Sequence, residues 1–120
     1  MNKEELQQHL SYILNNISSV LALTDEIGYD EFTREEQIKE EVYSHLQEIG
    51  EIAHEIEMAN SYPLDTEFDI SSLANMRNAR YNQEAEIDHH GIFTIIKYQL
   101  SEIQEDILNS KEYKLQEEEL

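Results

Sequence analysis

Residues 5–26 read ELQQHLSYILNNISSVLALTDE, and their spacing decides the fold class. Leu6, Leu10, Ile13, Leu14, Ile17, Val20 and Leu21 recur every three or four positions, which lines one face of an α-helix. Asn2 is the expected N-cap, with Glu5 as its capping-box partner, and Gly28 is the expected stop. A second stripe of Ile38, Val42, Leu46, Ile49, Ile52, Ala53 and Ile56 starts from a capping box of Thr33 and Glu36. It runs to near Asn60, where Tyr62 and Pro63 end it. Gly50 inside this stripe costs roughly 1 kcal/mol against Ala, so it marks a close approach of a neighbouring backbone. Between the two helices, Tyr29 to Phe32 reads as a short connector, with Phe32 as a plug over one end of the core.

Residues 63–69 read as a loop. A third, shorter helix is expected over 70–82, capped by Asp69 or Ser71, with Ile70, Leu73, Ala74, Met76 or Arg77, and Tyr81 on its inner face. Asp88 is the expected cap of a fourth helix carrying Ile92, Ile95, Ile96, Leu100, Ile103 and Ile107. Four amphipathic helices joined by short links predict an all-α fold, an antiparallel up-and-down four-helix bundle over 1–110. Residues 111–120 are expected to form a polar acidic tail, and the chain reads as frayed from Ser110 onward.

Composition supports this reading. Three glycines and one proline in 120 residues leave too few turns for most all-β architectures. With no Cys there is no disulfide framework, thiolate metal site or Cys nucleophile. No apolar run reaches the roughly 18 residues that span a bilayer, and the N-terminal residues carry no signal-peptide pattern, so a cytoplasmic protein without membrane contact is expected. The net charge of −19 is spread over both halves of the sequence. Such a surface disfavours sequence-independent binding to phosphate backbones and anionic membranes, so RNA is expected to bind weakly at most.

Five histidines are present. Glu51 with His54 and Glu86 with His89 each form a Glu-x-x-His pair, the spacing used in carboxylate-bridged di-metal bundles. The apolar stripes contain no Glu, and Glu86 precedes the fourth helix, so the histidines read as surface or interface residues. No metal site and no cofactor are expected. The eight basic residues are more informative because they are scarce. Arg77 and Arg80 lie one helical turn apart among Asn75, Asn78 and Asn82, making the third helix the one cationic, amide-rich strip. Such a strip serves as a structural ion-pair partner, an anion site or a protein contact.

This strip also carries a family likeness. Leu73-Ala74-Asn75-Met76-Arg77-Asn78 resembles the Met-Arg-Asn active-site helix of the HepT-like branch of the HEPN superfamily, the toxin half of MNT/HepT toxin–antitoxin pairs. Ile27-Gly28-Tyr29-Asp30-Glu31-Phe32 resembles that family's glycine–acidic–Phe connector. Leu46-Gln47-Glu48-Ile49-Gly50-Glu51-Ile52-Ala53 resembles the helix that follows it. The resemblance covers roughly residues 5–108. The family's nuclease motif is Arg, four residues, His, one residue, Tyr. Anchored on Arg77, the His position falls on Asn82 and the Tyr position on Glu84. His89 and His90 are too far along to replace them by spacing.

The resemblance implies a homodimer with a shared cleft, a nucleotidyltransferase antitoxin as partner, and metal-independent ribonuclease chemistry. Arg77, Asn82 and Glu84 occupy the catalytic positions, and Arg77, Asn78, Arg80 and Tyr81 are the RNA- or anion-binding candidates. Asn82 does not titrate, and Glu84 adds negative charge beside a scissile phosphate. Loss of a positioned acid or base costs about 10²–10⁴ in rate. The first expectation is therefore a HepT-like component that binds its nucleotidyltransferase and has a degenerate ribonuclease motif. The alternatives are an endoribonuclease using Arg77 with His89, His90 or Glu84 across a dimer cleft, and a nucleotide- or substrate-binding helper of a nucleotidyltransferase. The family's Tyr accepts AMP from the antitoxin. Glu84 cannot do so, which leaves Tyr81 as the neighbouring candidate.

Overall fold

The computed structural model describes residues 3–59, 73–74, 89–110 and 113. The described residues form an all-α bundle with no strand among them. α1 spans Lys3–Thr24, α2 Tyr29–Arg34, α3 Glu36–Ala59, α4 His89–Tyr98 and α5 Leu100–Asn109. α1 is the hub: α3 packs along it, and α5 and α4 pack against it as well. The cross-links show the directions. His9 meets Glu55 and Asn16 meets His45, so α3 runs antiparallel to α1. Ser18 meets Gln104 and Thr24 meets Lys97, so α4 and α5 also run antiparallel to α1.

The two long stripes fold as their spacing requires. Leu6, Leu10, Ile13, Ile17 and Val20 of α1 are buried against Val42, Leu46, Ile49, Ala53 and Ile56 of α3. Gly50 is buried within α3. Ile96, Leu100 and Ile107 close the other side, while Ile92, Phe93, Ile95 and Ile103 pack half-buried around them. Leu73 and Ala74 are helical and buried in the same core. The rest of the expected third helix, and the caps Asn2, Asp69, Ser71 and Asp88, lie outside the described residues.

Five local expectations are corrected. The stretch from Tyr29 is a helix, not a connector. Gly28 is its N-cap, and the Gly28 carbonyl accepts from the Phe32 N–H at 3.0 Å. Its aromatic rings hold it down: Phe32 is fully buried, with ring centroids 5.3 Å from Phe93 and 6.2 Å from Tyr43, and Tyr29 meets Phe93 at 5.7 Å. Phe32 is thus the expected plug. Thr33 does not cap α3, because it lies inside α2 and donates to the Asp30 carbonyl at 2.9 Å. The extended backbone of Glu35 separates α2 from α3, and its carbonyl accepts the Lys39 N–H.

Gly28 does not stop α1. The chain turns earlier, through Glu26 at φ 65°. The fourth apolar stripe is two helices divided at Gln99, although the N–H of Gln99 still reaches the Ile95 carbonyl and its own carbonyl still accepts from Ile103. Ser110 is also not frayed: it is buried, and its hydroxyl donates to the Ile107 carbonyl at 2.7 Å. Beyond it, Tyr113 packs half-buried against the core, and its N–H reaches the Ser110 Oγ at 3.3 Å.

Candidate functional site

The sequence-derived site residues Arg77, Asn78, Arg80, Tyr81, Asn82 and Glu84 lie outside the described residues, as does Glu86. The chain on either side of them is fixed. Leu73 and Ala74 sit in the core with about 1% exposure each. His89 opens α4, whose Ile96 is equally buried. Leu73 and Ala74 before the strip and Ile96 after it thus belong to the same core.

Four polar constellations occupy the described part. The first is Lys97, whose Nζ donates to the Thr24 carbonyl at 2.6 Å and lies 5.4 Å above the Phe93 ring. α1 has no basic residue in its last turn, so α4 supplies the cation that its C-terminal dipole favours. The second is a chain across the α1–α3 seam. The buried Asn16 amide donates to the Tyr12 carbonyl at 2.9 Å, which leaves its Oδ1 to accept from His45 Nδ1 at 2.8 Å. This holds the His45 proton on Nδ1 in the neutral ring.

His9, on the same seam, has Nδ1 2.8 Å from the Glu5 carbonyl and Nε2 2.8 Å from Glu55 Oε2. Both partners are acceptors, so the ring serves both when it carries two protons. The fourth group is His54. Its Nδ1 is buried without a hydrogen bond, and the Glu57 Oε1 lies 3.8 Å away.

Tyr43 is the one described group with a clearly displaced titration. Burial beside the aromatic plug, with the neighbouring Tyr29 as the lesser cause, pushes its hydroxyl up to about 12. It therefore stays a neutral hydroxyl across the physiological range and offers no base. Glu51 accepts a bond from Gln47 at 3.1 Å and does not join His54 in a ligand set. Among the described residues no three His, Asp or Glu side chains gather as metal ligands. Sequence reasoning read these histidines as surface or interface residues and missed the Lys97 contact. That contact joins residues 73 positions apart and leaves no local signal.

Two curated proteins of Methanocaldococcus jannaschii are similar to this chain. "Putative RNase MJ0125" is 27% identical over 108 residues, covering 88% of this chain and 90% of that protein. "Putative RNase MJ1216" is 27% identical over 108 residues, covering 88% of this chain and 87% of that protein. No family model matches the chain. No solved structure matches it either. Among the described residues no helix is long and apolar enough to cross a membrane.

Proposed function

We propose that this chain is a HepT-like helical domain of the ribonuclease kind that contacts RNA through its Arg77 strip and cleaves it slowly. The observation that carries this reading is similarity over 88% of the chain to two proteins named "Putative RNase". Arg77 is the phosphate ligand, because its guanidinium fork matches two phosphate oxygens at once. Arg80 adds a second cation, Asn78 contributes amide donors, and Tyr81 offers a ring for a base.

In the reaction the 2′-hydroxyl gives up its proton and its oxygen attacks phosphorus. The bond to the 5′ oxygen breaks, and that oxygen takes a proton. The products are a 2′,3′-cyclic phosphate and a free 5′-hydroxyl. Glu84 is the acceptor available for the first proton. Asn82 holds the phosphate by hydrogen bonding but does not deliver the second, which comes from water. A missing acid slows the step by about 10²–10⁴.

The test is a cleavage assay on total tRNA and mRNA with the wild type, Arg77→Ala and Asn82→His. The expected result is slow cleavage by the wild type, loss with Arg77→Ala and a gain with Asn82→His. Cleavage unchanged by Arg77→Ala overturns the assignment.

The replaced motif favours a second reading, a component kept for binding a cognate nucleotidyltransferase, with Tyr81 as the candidate for AMP attachment. No cleavage by the wild type, together with co-purification of a nucleotidyltransferase encoded beside it, supports that reading. A homodimer belongs to both readings, and a monomer mass by light scattering at tens of micromolar removes it.

A further inference from the structure

The seam between α1 and α3 opens into a cavity of about 250 Å³ lined by Gln8, His9, Tyr12 and Ile52. His9 is pinned at both ring nitrogens by the Glu5 carbonyl and Glu55. Its edge is spent, and what it presents to a ligand is a ring face held at a fixed angle. Tyr12, three residues further along α1, is 60% exposed and contributes a second ring. Gln8 brings an amide with both a donor and an acceptor. Ile52, half-buried against the core, supplies an apolar wall.

Among the described residues the lining contains no Lys or Arg, and Glu55 stands beside it on the His9 ring. Glu55 offsets the charge of the His9 ring when it carries both protons, and with a net charge of −19 around it the cavity disfavours a phosphate group. Its ligand is therefore recognised by a flat ring and a hydrogen-bonding edge. The volume lies below the roughly 300–1,000 Å³ of sites for drug-sized ligands, which suits one ring system.

We propose that this cavity is a nucleobase subsite, taking one unstacked base between the Tyr12 and His9 rings with its edge on the Gln8 amide. The choice of a nucleobase over another flat heteroaromatic ring rests on the RNA reading above. The base comes either from a free nucleoside or from a single strand of RNA.

The experiment is a two-dimensional amide NMR titration of the full chain with uridine, adenosine and a short single-stranded RNA, at low and high salt. Saturable shifts centred on Gln8, His9, Tyr12 and Ile52 with a nucleoside are expected by about 10 mM, the range of a single weak contact. They should be insensitive to salt, because no phosphate is neutralised. Tyr12→Ala, an exposed position that leaves the core intact, should weaken binding about tenfold or more. Gln8→Ala should weaken it and narrow the difference between uridine and adenosine.

If the RNA moves the same resonances, the strand is a source of the base. If only the nucleosides do, the site serves the free ligand. No shift at these four residues with any probe overturns the subsite. So does an affinity unchanged by Tyr12→Ala, or binding that appears only at low salt. None of these readouts depends on cleavage, so a failure at Arg77 and a failure here are seen separately.

Discussion

Replacing Lys97 with Met keeps most of the side chain's length and apolar stem and removes its charge. In the wild type the ammonium closes the end of α1 by donating to the Thr24 carbonyl at 2.6 Å and covers the Phe93 ring at 5.4 Å. A hydrogen bond from a charged donor contributes about 1.5–3 kcal/mol, and the half-buried setting places this one at the lower end. The ring contact adds about 0.5–1 kcal/mol. The helix dipole is not counted separately, because the same charge on the same carbonyl already expresses it. The expected loss is about 2 kcal/mol, or roughly 8 °C in Tm for a domain of this size. Urea unfolding followed by far-UV circular dichroism reads it as a lower midpoint at unchanged slope. A loss under about 0.5 kcal/mol would falsify the view that Lys97 caps α1 and would make the contact an ordinary surface pair.

Other perturbations test other parts of the fold. Asn16→Ala removes the acceptor of His45 and the donor to Tyr12. The expected cost is about 2 kcal/mol in urea, and ring-nitrogen NMR should show His45 losing its Nδ1–H preference. Phe32→Ala empties the fully buried plug and should cost about 3–5 kcal/mol, leaving little cooperative unfolding. The Tyr43 hydroxyl is pushed up to about 12 from an ordinary 10. Between those values the unfolded chain loses its proton first, so stability present below pH 10 falls as pH rises toward 12. Alkaline unfolding of Tyr43→Phe should lack that limb. If both proteins lose stability in parallel, Tyr43 is not the cause. Glu26→Gly relieves a left-handed backbone at φ 65°. It should raise stability by about 1 kcal/mol in the same urea assay, and a decrease would mean the Glu26 side chain makes a compensating contact.

The long stripes of α1 and α3 were legible because each buries one continuous face, and periodicity reports a face directly. The helix starting at Tyr29 was not, since six residues show too little periodicity and its stability comes from rings on α3 and α4. The division at Gln99 was hidden for the opposite reason: Ile95, Ile96, Leu100 and Ile103 keep their spacing across it, so the stripe reads as unbroken. Glycine is the usual signal for a helix end, yet α1 ends at Thr24 and the chain turns through Glu26, with the Lys97 bond to the Thr24 carbonyl offsetting the cost. As for the site, the scarcity of cations pointed to Arg77 and Arg80. The same argument passed over Lys97, whose role is set by a partner far away in the sequence. The α1–α3 cavity left no motif, because Gln8, His9 and Tyr12 become a surface only when Ile52 is laid against them.

The hub position of α1 sets an order of events during synthesis. Its links to α3 close over 46 and 29 residues, whereas those to the C-terminal helices close over 86 and 73. The α1–α3 hairpin can pair while the rest is still being made, since shorter loops close at lower entropic cost. Residues 60–109 take roughly 3–10 s to translate. For that time the side of α1 destined for Ile96, Leu100 and Ile107 faces water. A nascent chain stalled in this interval presents one long apolar stripe, which makes it a chaperone client until α5 arrives to cover it.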